Sequence, residues 1–156
     1  MPDLKVRNLA GRQLADAYPL VRSATRVSQQ RWEDFGRELL AGGGGVLAVT
    51  APDGCTHGVA AFRPRPNLLH RQSLDVELFV AFELRGDNRV RERLYDALER
   101  LGQGLGCETL TLTTAAKGYE VPLTGSRRSL EELGLKLETL NFTRALDSAE
   151  TTQSRK

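Results

Sequence analysis

The sequence predicts one mixed α/β domain, a largely antiparallel sheet with helices on both faces. Three observations carry this. Two short apolar runs flank the turn tripeptide Pro52-Asp53-Gly54, which makes an antiparallel hairpin. A strand, a short basic turn, an amphipathic helix and a second strand follow between Leu74 and Thr114, which implies a parallel pair joined by a right-handed crossover. The hydrophobic period switches from two to three-and-four within that unit.

Length and composition bound the class. A chain of 156 residues is read as a single domain over 1–146 with a disordered tail over 147–156. An apolar fraction of 40% with 27% charged residues is that of a water-soluble globular protein. A net charge of +2, with Lys and Arg spread along the chain, argues against a nucleic-acid binder. Two unrelated cysteines, Cys55 and Cys107, form neither a disulfide framework nor a metal motif, so a reducing, cytoplasmic setting is expected. No apolar run approaches the length of a membrane span or a leader segment.

In chain order, Leu4 to Leu9 reads as a first strand. Leu14, Ala17, Tyr18 and Val21 give a helix that Pro19 should kink or divide. Ser28 caps a second helix with Trp32, Phe35, Leu39 and Leu40 on one face, stopped by Gly42 to Gly45. The hairpin follows, and Arg63-Pro64-Arg65-Pro66 should end its second strand. Leu74 to Phe82 is the central strand. Val90, Leu94, Leu98 and Leu101 line the long helix, with Gly102 as its expected C-cap. Glu108 to Thr114 is a strand rich in threonine. After a loop over 115–126, Thr124 or Ser126 caps a short helix ending at Gly134, and Leu137 to Leu146 closes the sheet.

The turn Arg85-Gly86-Asp87-Asn88-Arg89 has an electrostatic consequence. The first N–H groups of the following helix lack partners within it and lie at the positive end of its dipole, where an anion such as a phosphate is stabilised. Arg85, Arg89 and Arg91 add side-chain charge around that point. The alternative is that these arginines only solvate the helix surface.

Taken together, Leu78-Phe79-Val80 running into Arg85-Gly86, the stretch Leu130-Glu131-Glu132-Leu133-Gly134-Leu135 and the element order resemble the GNAT family of acyl-CoA N-acetyltransferases. The resemblance covers about residues 4 to 146. It implies acetyl-CoA as cofactor, with Phe79, Val80, Arg85, Gly86, Asp87, Asn88, Arg89, Val90 and Arg91 at its site. It also implies direct transfer of an acetyl group to a small-molecule or protein amine, without nucleic acid or membrane. The family loop runs Arg/Gln-x-x-Gly-x-Gly/Ala. Counted from Arg85, Asn88 stands at the first glycine and Val90 at the second, where a branched side chain is expected to crowd a phosphate. Leu130 stands where the family often has a tyrosine acid.

Within that resemblance Glu77 is the candidate base for the amine and Tyr119 the candidate donor to the leaving thiolate. Equally, Glu77 could pair with an arginine on a neighbouring strand, and Tyr119 could cover a core edge. His57 and His70 have the right pKa range but no partners at a recognisable spacing. Cys107 reads as a small buried apolar residue. Trp32 and Phe35 read as core residues, on a helix that in the family also borders the acceptor site. The competing function is a non-catalytic domain of the same fold that uses the cleft to bind a ligand or partner. Whether two copies form a homodimer is left open.

Overall fold

The computed structural model describes residues 3–83, 86 and 88–146. Six strands form one sheet in sequence order: β1 (Lys5–Asn8), β2 (Gly45–Thr50), β3 (Thr56–Arg65), β4 (Ser73–Ala81), β5 (Thr109–Ala115) and β6 (Thr139–Ala145). Every neighbouring pair is antiparallel except β4–β5. The helices are α1 (Leu14–Ala24), α2 (Gln29–Ala41), α3 (Arg89–Gly104) and α4 (Gly125–Glu132), with a single 3-10 turn over Gly11–Gln13 before α1.

Alternation along the strands builds two cores, one per face. Leu47, Val49, Leu74, Val76 and Leu110 meet Val90, Leu94 and Leu98 of α3 on one side. Val46, Ala48, Val59 and Ala61 meet Leu14, Val21, Trp32 and Leu39 of α1 and α2 on the other. Each fully buried leucine contributes roughly 1.5–3 kcal/mol, so the two faces together fix the helices to the sheet.

Three local expectations are corrected and a fourth, that Pro19 kinks or divides its helix, is narrowed. Pro19 lies inside α1 without dividing it. It removes one backbone donor, while Leu14, Ala17 and Val21 remain buried on both sides of it. Leu40 is 36% exposed, and the buried face of α2 is Trp32, Gly36 and Leu39. Strand β3 runs on through Pro64, paired with Leu74. Pairing with β2 ends at Phe62, so Pro64 has no ladder partner on that side and tolerates a missing N–H. Gly102 is not a cap but a buried residue within α3. A Cβ there would lie 2.7 Å from Leu146 Cδ1, so glycine permits the helix to approach the end of the sheet.

Two irregularities in β4 shape the functional face. Ala61 pairs with Leu78 and Phe62 with Val76, leaving Glu77 as the extra residue of a β-bulge. On the other edge, β4 pairs with β5 only from Ser73–Thr109 to Val76–Leu112. Beyond that point the two parallel strands part.

Candidate active site where β4 and β5 part

The parting strands open a cleft of about 530 Å³ beneath α3, walled by Val76, Phe79, Tyr95, Leu112 and Tyr119, with Arg91 at the helix end. Glu92 and Asp96 of α3 also line it, and apolar walls with a few polar groups are the usual composition of a small-molecule site. Tyr119 reaches the cleft from the loop between β5 and α4, with its ring 5.6 Å from that of Phe142 on β6. The same Tyr119 is a wall of a second hollow of about 830 Å³, bordered by Lys117, Arg127, Lys136 and Glu138.

At the mouth of the cleft the backbone turns sharply into α3. Gly86 has φ 66° and Asn88 has φ 59°, both in the left-handed region. Asparagine is among the non-glycine residues that adopt this conformation with least strain, so the turn forms at Asn88 without the family's glycine. A left-handed residue leading into a helical one aims successive N–H groups toward one side, an arrangement suited to anions.

Val90 turns inward. Its side chain is 5% exposed and belongs to the core beneath α3, with Cγ1 turned onto Gly58 of β3. The branched group therefore points into the core beneath α3.

The N–H groups of Val90 and Arg91 donate to the two carboxylate oxygens of Glu83, at 2.9 Å and 3.1 Å. Arg91 also donates from Nη1 to Asn88 Oδ1 at 3.1 Å. Glu83, which sequence reasoning missed, thus joins the end of β4 to the first turn of α3. Its only signal was an acidic side chain just ahead of a helix start, too far upstream for an ordinary N-cap.

The structure brings Phe79, Arg91 and Tyr119 to one cleft. Val80 turns to the opposite face and packs against the α1–α2 core. Glu77 is exposed in the bulge, on the face where it borders a small recess with Arg63, Arg65 and Asp75. Asp75 takes the nearby ion pair, with Arg65 at 3.6 Å. Arg89 opens α3 and is half-buried. Arg85 and Asp87 lie outside the described residues, as does the tail over 147–156. Leu130 on α4 is 51% exposed, and no described residue of that helix is buried.

The remaining candidates lie elsewhere. Trp32 is core: its ring N–H donates to the Leu14 carbonyl at 2.7 Å. His57 stacks on Phe82. Burial pushes the Cys107 thiol up, and the Asp53 carboxylate beside Cys55 does the same there, which keeps both protonated. Among the described residues no group of His, Cys, Asp and Glu could hold a metal ion, and no helix is long and apolar enough to cross a membrane.

No protein-family model and no curated protein matches this sequence. Solved structures match its fold. An aminoglycoside N-acetyltransferase in complex with CoA is 19% identical over 92% of this chain and 95% of its own, with a TM-score of 0.66. A GNAT-family acetyltransferase from Staphylococcus aureus is 11% identical over 93% and 100%, also with a TM-score of 0.66. Glucosamine-6-phosphate N-acetyltransferase from Arabidopsis thaliana is 12% identical over 93% and 99%, with a TM-score of 0.59. With its six-stranded mixed sheet, parted central strands and flanking helices, the chain has the fold of the GNAT acetyltransferases.

Proposed function

We propose that this chain is a cytoplasmic acyl-CoA-dependent N-acetyltransferase that acts on a small-molecule or protein amine by direct transfer. The observation that supports this most is the apolar cleft between β4 and β5, which ends at the first turn of α3. A long thiol-bearing arm fits apolar walls, and a diphosphate suits the guanidinium groups of Arg89 and Arg91 at the start of α3. The branched side chain of Val90 lies in the core.

Acetyl-CoA supplies an acetyl group activated as a thioester. Phe79, Leu112 and Tyr119 exclude water from the arm, and Arg91 with the Asn88 turn holds the anionic end. Glu77 lies in the bulge where the strands part, on the opposite face, so the amine comes from that side. Its carboxylate takes the proton released as the amine nitrogen bonds to the acetyl carbon. The carbon–sulfur bond breaks, and the Tyr119 phenol gives the departing thiolate its proton. No covalent enzyme intermediate is needed.

The test is release of free thiol from acetyl-CoA by the purified protein across a panel of polyamines, amino sugars, amino acids and peptide N-termini. Amine-dependent release supports the reading. CoA binding with no turnover of any amine would favour the non-catalytic alternative, for which Leu130, in place of a phenol on α4, is the specific feature.

A further inference from the structure

We infer that Tyr119 limits the length of the acyl group this chain accepts, and this rests on the acyl-CoA reading above. Among the described residues, Tyr119 is the only one that borders both the cleft of about 530 Å³ and the hollow of about 830 Å³. The two spaces therefore meet at one side chain. On the proposed chemistry the thioester lies at that phenol, so an acyl chain longer than acetyl runs against the ring.

The ring is held where it stands. The Ala116 N–H donates to the Glu138 carbonyl at 2.9 Å, which ties the loop to the chain just before β6. A tight turn follows. The Tyr119 N–H donates to the Ala116 carbonyl at 3.1 Å, and Gly118 has φ 96°, a conformation that glycine adopts at no steric cost. The ring then meets that of Phe142 on β6, with centroids 5.6 Å apart. Backbone at one end and an aromatic contact at the other thus fix a side chain that is 51% exposed.

Behind the ring there is room. The volume of the hollow lies within the range of small-molecule sites, about 300–1,000 Å³. Ala115, Val121, Pro122 and Leu137 supply apolar wall there, among charged residues of both signs. Removal of the ring joins cleft and hollow. Each methylene of an acyl chain that is then buried raises affinity about fourfold.

The test is calorimetric binding of acetyl-, butyryl- and hexanoyl-CoA to the wild-type chain, Tyr119→Phe and Tyr119→Ala. Binding is read in place of turnover because the same phenol serves the departing thiolate. The wild-type chain and Tyr119→Phe should bind hexanoyl-CoA no tighter than acetyl-CoA. Tyr119→Ala should bind hexanoyl-CoA about tenfold tighter than acetyl-CoA or more, with butyryl-CoA between. Adding Leu137→Trp, which fills the hollow, should abolish that preference. Equal affinity for all three in Tyr119→Ala would overturn the inference and leave the acyl-CoA reading intact. So would a wild-type affinity that rises with chain length, because the ring would then be no barrier. A preference that survives Leu137→Trp would also overturn it, because the chain would lie elsewhere. Absence of binding of all three by the wild-type chain would overturn both.

Discussion

Val90 on α3 and Gly58 on β3 form a complementary pair. A Cβ at Gly58 would lie 2.8 Å from Val90 Cγ1, closer than real side chains approach. The valine at the second glycine position of the turn is thus seated by a glycine on the sheet. Gly58→Ala should push α3 outward at its first turn, destabilising the fold by about 1–3 kcal/mol and weakening CoA binding. Adding Val90→Ala should restore both, because the methyl groups that clash are removed. Urea denaturation and calorimetry on the single and double variants check this. A double variant no better than Gly58→Ala would deny the pairing.

Asn88 sets the second expectation. Its φ of 59° suits asparagine and glycine but resists a β-branched side chain. Asn88→Gly should keep stability within about 0.5 kcal/mol, while Asn88→Val should lose about 1–3 kcal/mol. Denaturant midpoints of the two variants give the comparison. Equal stability would mean that the turn does not depend on this conformation.

Glu77 tests the chemistry. In the bulge it is exposed and makes no ion pair with the neighbouring Arg65, whose partner is Asp75. Once an acceptor is found, Glu77→Gln should lower kcat by about 10²–10⁴-fold at neutral pH, the range of a lost general base, with CoA affinity nearly unchanged. An unaltered kcat removes Glu77 from the mechanism.

Cys107 predicts a pH dependence. Burial raises the folded-state pKa of its thiol above the unfolded value of about 8.5. The folded form therefore holds its proton to higher pH than the unfolded form. The stabilisation is fully present below the unfolded value and is lost as pH rises through the folded one. Thermal denaturation between pH 8 and 10 should show a decline that Cys107→Ala reduces. An identical slope in the variant would assign the decline to other groups.

Much of the fold was legible because it rests on local signals. Ser28 and Thr124 accept from the backbone three residues on, as their spacing to the helices suggested. Pro52-Asp53-Gly54 marked its hairpin, and the period of Val90, Leu94 and Leu98 fixed the buried face of α3. What escaped depends on partners distant in sequence. Gly102 looked like a stop signal, and only the position of Leu146 shows that it is a contact. Pro64 looked like a strand end, and only the earlier end of β2 makes it harmless. Gly86 and Asn88 were legible as turn residues, but the direction of Val90 needed Gly58, and the bonds to Glu83 needed the helix in place.

The most direct test of the acetyltransferase reading is calorimetric titration of CoA into the purified chain at low and at high salt. Micromolar affinity that falls as salt rises is the expected result, because screening weakens the contact between the diphosphate and the basic turn. No heat of binding at millimolar CoA would contradict the account and leave a GNAT fold put to another use.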